Sequence, residues 1–173
     1  MVSPEANRAA ITGILEDAAK PYNPNKRDRA ALKLRKERRE AFVSKADELL
    51  TAYPQEVTAE DASGRGRVRL TRPVDVPVDE QTLQAQVIEI VQEQKYAGGR
   101  HTDKWIGLQT IQQDGNQKIL FGVEEITNQY GTKPTTSTTI RTSRRGKSAT
   151  NDQVLRGLQA INFLADQLAN QPK

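Results

Sequence analysis

The chain has 173 residues, the size of one ordinary domain with an extension or of two very small domains. Hydrophobic residues make up 35 % and the mean hydropathy is -0.73, so the core is limited and much of the chain lies at a surface or an interface. A formal charge of +4 suits an anionic partner, the lack of cysteine excludes disulfides and thiolate metal sites, and no apolar run approaches the roughly 18 residues of a membrane helix.

The opening stretch, MVSPEANRAA, has no basic run followed by an apolar core, so the expectation is a chain without a signal peptide, cytoplasmic or borne on a virion-like particle. Ser3, Pro4 and Glu5 have the types and order of an N-cap, a first helical position and a dipole-complementing acid. Ile11, Ile14, Leu15 and Ala18 give that short helix a narrow stripe, and it stops before Pro21. Residues 21–25, PYNPN, read as a turn or extended linker, because the residue before a proline is pushed out of the helical region.

Residues 26–53 read as one long helix in two electrical halves. Its first half holds eight basic residues (Lys26, Arg27, Arg29, Lys33, Arg35, Lys36, Arg38 and Arg39) against the acids Asp28 and Glu37. Its second half carries Phe42, Ala46, Leu49, Leu50 and Tyr53 at helical spacing. The second half can dock on a body, whereas the first has almost nothing apolar to bury and needs an outside surface to hold it. An anionic surface, nucleic acid or acidic protein, is the simplest candidate.

The composition then turns acidic and Gly-rich over residues 55–66, which marks a linker between a helical arm (1–54) and a body (67–173). In RVRLTRPVDVPV, Pro73 and Pro77 confine an extended segment to a sheet edge or split it. A helix is expected to start at Asp79, with Leu83, Val87, Ile90 and Val91 as its stripe, and to end near Tyr96 before Gly98-Gly99. Trp105–Ile111 and Lys118–Ile126 read as strands joined across Asp114-Gly115, with Ile119, Phe121 and Val123 facing Ile106 and Leu108. After a loop at 131–134, the β-branched run TTSTTIRTSRR reads as an exposed or partner-paired strand. Thr150 and Gln153 have capping-box spacing for a final helix whose stripe is Val154, Leu158, Ile161, Ala165 and Leu168. The expected fold is therefore α+β: a two-helix arm, the second helix long and basic, then a small antiparallel sheet with two packed helices in the order β-α-β-β-β-α.

No motif carries a reaction. Gly146-Lys147-Ser148 lacks the glycine that a phosphate loop needs five positions upstream, where Arg141 stands, so RRGKS reads as a basic turn. His101 is the only histidine, and its ordinary reading, in a polar loop two residues from Asp103, is solvated surface. Glu124 and Glu125 alternate along a strand and point to opposite faces, so they form no paired-carboxylate site, and no GxSxG elbow is present.

The basic clusters remain. Arg65, Arg67 and Arg69 alternate and share a strand face, Arg100, His101 and Lys104 fall in a loop, and Arg141, Arg144, Arg145 and Lys147 close the polar strand. Joined to the arm they would make a surface that tracks backbone phosphates and so ignores base sequence, and the scarcity of aromatics disfavours recognition of single strands by stacking. The expectation is a non-enzymatic subunit of a large multi-subunit assembly, with protein neighbours as partners, or alternatively a nucleic-acid-binding accessory protein that clamps phosphates with residues 26–39. Neither role involves a membrane, a small-molecule substrate, a metal or a cofactor.

Overall fold

The computed structural model describes residues 29–55, 66–78, 81–111, 117–143 and 146–170. The short helix expected from Ser3, the turn at 21–25 and most of the linker lie outside them. The described chain is α+β: helix α1 (Arg29–Ala52), strands β1 (Gly66–Leu70), β2 (Val74–Val78), β3 (Gln81–Tyr96), β4 (Gly99–Ile111), β5 (Gln117–Tyr130) and β6 (Lys133–Arg141), and helix α2 (Asn151–Asn170). All six strands form one antiparallel sheet in the order β1-β3-β4-β5-β6, with β2 also paired to β3.

The expected helix after Asp79 is a strand, β3. The run Val87-Ile88-Glu89-Ile90-Val91 is apolar at both helical and strand spacing, so the stripe at 83, 87, 90 and 91 did not discriminate. Chemistry and both-sided burial decide: β-branched residues resist helical χ1 crowding, and Val87 (0 % exposed) and Ile88 (6 %) are buried on opposite faces of the sheet. The body is consequently six strands followed by one helix, and the second helix on the sheet is α1 itself.

Other expectations hold locally. Pro73 falls in the break between β1 and β2, where the register against β3 slips by one residue, and both short strands lie on a sheet edge. Thr150 and Gln153 form a reciprocal capping box: the Gln153 amide N–H donates to Thr150 Oγ1 (3.0 Å) and the Thr150 N–H donates to Gln153 Oε1 (2.8 Å). Phe121 and Val123 share a face with Leu108 and Ile106, but the register shifts between Leu108 and Gln109, so Ile119 pairs with Gln109 instead.

Both helices cover one face of the sheet. From α1, Phe42, Ala46, Leu49 and Leu50 are buried, and the Phe42 ring meets Phe121 edge-on (centroids 4.9 Å apart, planes at 79°). From α2, Val154, Ile161, Leu164 and Leu168 enter the same core, and the Cβ-less Gly157 lets α2 approach the Phe121 ring. On the opposite face Trp105 is fully buried and lies over Gly122, which has no room for a side chain beneath the indole. There too Gln109 donates to Gln86, and Gln86 donates to the Thr71 carbonyl and to Gln55.

Four strands run on past the helices. Every residue from 91 to 104 and from 125 to 138 is half-buried or exposed, so the β3–β4 and β5–β6 hairpins form a polar blade about 20 Å long, at ~3.3 Å per residue. Each ends in a two-residue turn containing a glycine at positive φ, Gly98 (87°) or Gly131 (74°).

Candidate interaction surface

Of the expected partner-binding residues, Lys26, Arg27, Arg65, Arg144 and Arg145 lie outside the described residues. Arg29, Lys33, Arg35, Lys36, Arg38 and Arg39 lie on α1, within a helix whose first turn has no acid. Lys36 and Arg39 approach Glu40 only at 4.0 Å, contacts of little energetic weight at an exposed site. The Arg35 guanidinium donates to Asn151 Oδ1 at 3.1 Å, tying the basic half of α1 to the start of α2 through a neutral amide. Three cations of the helix, Arg29, Lys33 and Arg38, have no ion-pair partner among the described residues, although the helix lies on its own globule.

The Arg35–Asn151 bond also brings this half of α1 beside the basic turn after β6. Thr142 N–H donates to the Lys147 carbonyl, Arg141 donates to the Gly146 carbonyl at 2.6 Å, and Lys147 itself is exposed. Arg141 further reaches Glu124 at 3.7 Å, so its charge is partly engaged.

The β1 arginines are held elsewhere. Arg67 is exposed, whereas Arg69 grips Glu89 of β3 with two bonds and Asp47 of α1 with a third, all of 2.8–2.9 Å. Burial alone would raise the Glu89 pKa, but the Arg69 hydrogen bonds and the charges of Arg69, Lys104 and Arg67 outweigh it and hold the carboxyl below its usual range. The Arg69 pKa is raised, first by Glu89 and then by Asp47. Asp47 lies twelve residues from Arg35, or ~18 Å along a helix, so the expected continuous surface is split. Arg69 works as a staple between α1 and the sheet.

The expected basic loop at 100–104 is instead the start of β4. Arg100 pairs with Glu93 (2.9 Å), Lys104 approaches Glu89 (3.6 Å), and His101 Nδ1 meets Asn128 Oδ1 at 2.5 Å. Glu124 and Glu125 do alternate: Glu124 turns toward Arg141, and Glu125 is exposed opposite Lys104. Among the described residues no three His, Asp or Glu side chains cluster as a metal site, and no helix is long and apolar enough to cross a membrane.

Two further features bear on partners, and the second escaped the sequence reading. One is the free outer side of β6, the strand expected to be exposed or partner-paired. Ala149 N–H donates to the Ile140 carbonyl from outside the sheet, so the amides of every second residue before it, Thr138 and Thr136, also face outward. No described strand pairs with Lys133–Thr139 on that side. The other is the blade tip, where register sets Tyr96, Gly99, Tyr130 and Lys133 in one cross-strand row. A tyrosine just before each glycine-containing turn, YAGG and YGTK, was the available signal.

No protein-family model, curated protein or solved structure matches this chain.

Proposed function

We propose that the chain is a non-enzymatic subunit of a larger protein assembly, in which the outer side of β6 receives a strand from a neighbour. The observation that carries this reading is the composition of that edge. Thr135, Thr136, Ser137, Thr138 and Thr139 form five consecutive hydroxyl residues with no charge among them. Exposed edges are ordinarily blunted by charges, prolines or bulges, and here only Lys133 and Pro134 at the tip do so. A partner strand would satisfy the outward amides of Thr136 and Thr138, and pair its side chains with threonines suited to cross-strand packing.

Sedimentation velocity at micromolar concentration tests this. Oligomers that Thr138→Pro disrupts, with the circular dichroism unchanged, are expected, because the substitution removes an outward N–H and leaves the bonds to β5 in place. A monomer at every concentration, alone and with candidate partner proteins, removes the reading.

A second reading, a nucleic-acid-binding accessory protein, is favoured by the cations of α1 that have no carboxylate partner. It expects duplex binding that weakens steeply between about 50 and 200 mM salt. Reversing Arg29, Lys33, Lys36 and Arg38 to glutamate should abolish binding; Arg35 is spared because it anchors α1 to Asn151. Binding indifferent to salt and to these changes excludes it.

A further inference from the structure

Tyr96 and Tyr130 are the two most exposed large hydrophobic side chains among the described residues, at 54 % and 68 %. Antiparallel pairing places Tyr96 opposite Gly99, Gly99 opposite Tyr130, and Tyr130 opposite Lys133, so all four share one face of the blade tip. Gly99 is a condition of this arrangement. A Cβ there would sit 2.8–2.9 Å from the Tyr130 ring, so only a glycine lets that ring lie down over the β4 backbone beside Tyr96. Tyr96 is oriented by its hydroxyl bond to Gln94.

The next row on the same face is Gln94, His101, Asn128 and Thr135, a line of hydrogen-bonding groups with no carboxylate. Lys95 and Arg100 reach the tip from the other face, along a shallow groove of about 530 Å³ that Tyr96, Gly99 and Gln129 also line. Residues 93–101 and 128–135 hold three cations, Lys95, Arg100 and Lys133, against the single carboxylate Glu93.

Exposed rings in a row, hydrogen-bonding side chains behind them and an excess of positive charge match one kind of ligand: an anionic polymer whose units have flat π faces. We infer that the blade tip binds single-stranded nucleic acid, with bases stacked on Tyr96 and Tyr130 and phosphates met by Lys133, Lys95 and Arg100. Duplex is a poor fit, because its bases are already stacked and their faces are closed to the tyrosines. The site differs from the α1 cations in position and in mode, reading base faces where α1 would meet only phosphates.

The test is anisotropy titration of a labelled 20-nucleotide oligothymidylate at 50 mM salt, using the full chain. Wild type is expected to bind. Tyr96→Ala and Tyr130→Ala should each weaken binding roughly tenfold, the scale of one lost stacking contact. Tyr96→Phe with Tyr130→Phe should stay within about twofold of wild type, because the ring face is kept. Both tyrosines are surface groups, and matching circular dichroism establishes that the variants fold. Charge reversal on α1 should leave this tyrosine dependence intact. The inference is overturned if the oligonucleotide does not bind, if both alanine variants bind like wild type, or if 20-residue polyglutamate binds as tightly, since charge alone would then account for binding. It is equally overturned if a neutral oligosaccharide binds with the same tyrosine dependence and the oligonucleotide does not. Loss of binding only on α1 reversal leaves the α1 reading standing and removes this one.

Discussion

Arg69 and Glu89 face each other across β1 and β3 in a two-pronged ion pair, Nε to Oε1 at 2.8 Å and Nη2 to Oε2 at 2.9 Å. Glu89 is only 2 % exposed, so its carboxylate depends on these donors and on the more distant Lys104. Arg69→Ala would strand a buried charge, and the expected loss is about 3 kcal/mol in urea unfolding, the scale for breaking a buried pair from one side. Replacing both partners, Arg69→Met with Glu89→Leu, should recover most of it, because no buried charge is then left unpaired.

The same pair sets an acid response. Glu89 titrates below its unfolded value, so the pair stabilises the fold above the ordinary glutamate range, and that stability is lost as pH falls through the lowered folded pKa. Wild type should therefore lose stability steadily below about pH 4.5. Glu89→Gln should be less stable at pH 7 and show a flatter acid limb. Parallel curves for the two proteins would contradict the assignment.

How far the sequence foretold this arrangement differs by element. The capping box at Thr150, the split edge strand at Pro73 and the buried stripe of α1 were readable, because each rests on local rules: cap chemistry, a missing N–H and helical periodicity. β3 was not readable, because Val87-Ile88-Glu89-Ile90-Val91 serves two buried faces and erases the alternation that marks a strand. That error carried to the surface, moving Arg100, His101 and Lys104 from an imagined loop onto β4. The Arg69 staple and the Gly99–Tyr130 pairing depend on register between strands that no local pattern encodes, although YAGG and YGTK mark the two tyrosine turns themselves.

Trp105 gives a direct optical readout of the second sheet face. It is the chain's only tryptophan and is fully buried, so emission should be blue-shifted. A Cβ at Gly122 would fall within the indole ring, and Gly122→Ala must push the ring aside. The expected cost is about 2 kcal/mol, in the range of core overpacking, with emission shifting to the red. Unchanged stability and unchanged emission would mean the indole does not lie over Gly122.

The capping box separates local from buried contributions to α2. Thr150→Ala removes the acceptor for the Gln153 amide and should cost about 1 kcal/mol, seen as a lower denaturation midpoint at constant m-value. Gln153→Ala should cost more, because that side chain is fully buried and its loss leaves a cavity as well as an uncapped Thr150 N–H. The reverse order would show that burial at Gln153 contributes little.

Phe42 decides whether α1 behaves as part of the body. Its ring is fully buried and meets Phe121, which also touches Gly157 of α2, so this cluster joins both helices to the sheet. The basic half of α1 is tethered to the body where Arg35 donates to Asn151, and among the described residues it buries no side chain before Phe42. Hydrogen exchange in wild type should therefore be slow from 42 to 50 and faster from 29 to 39, following the burial. Phe42→Ala should cost about 3–5 kcal/mol and bring exchange in residues 42–50 close to that of 29–39. If instead both halves exchange at one rate in wild type, α1 opens as a single unit. Its basic half would then owe its order to the Phe42 anchor, and no outside surface would be required to hold it in place.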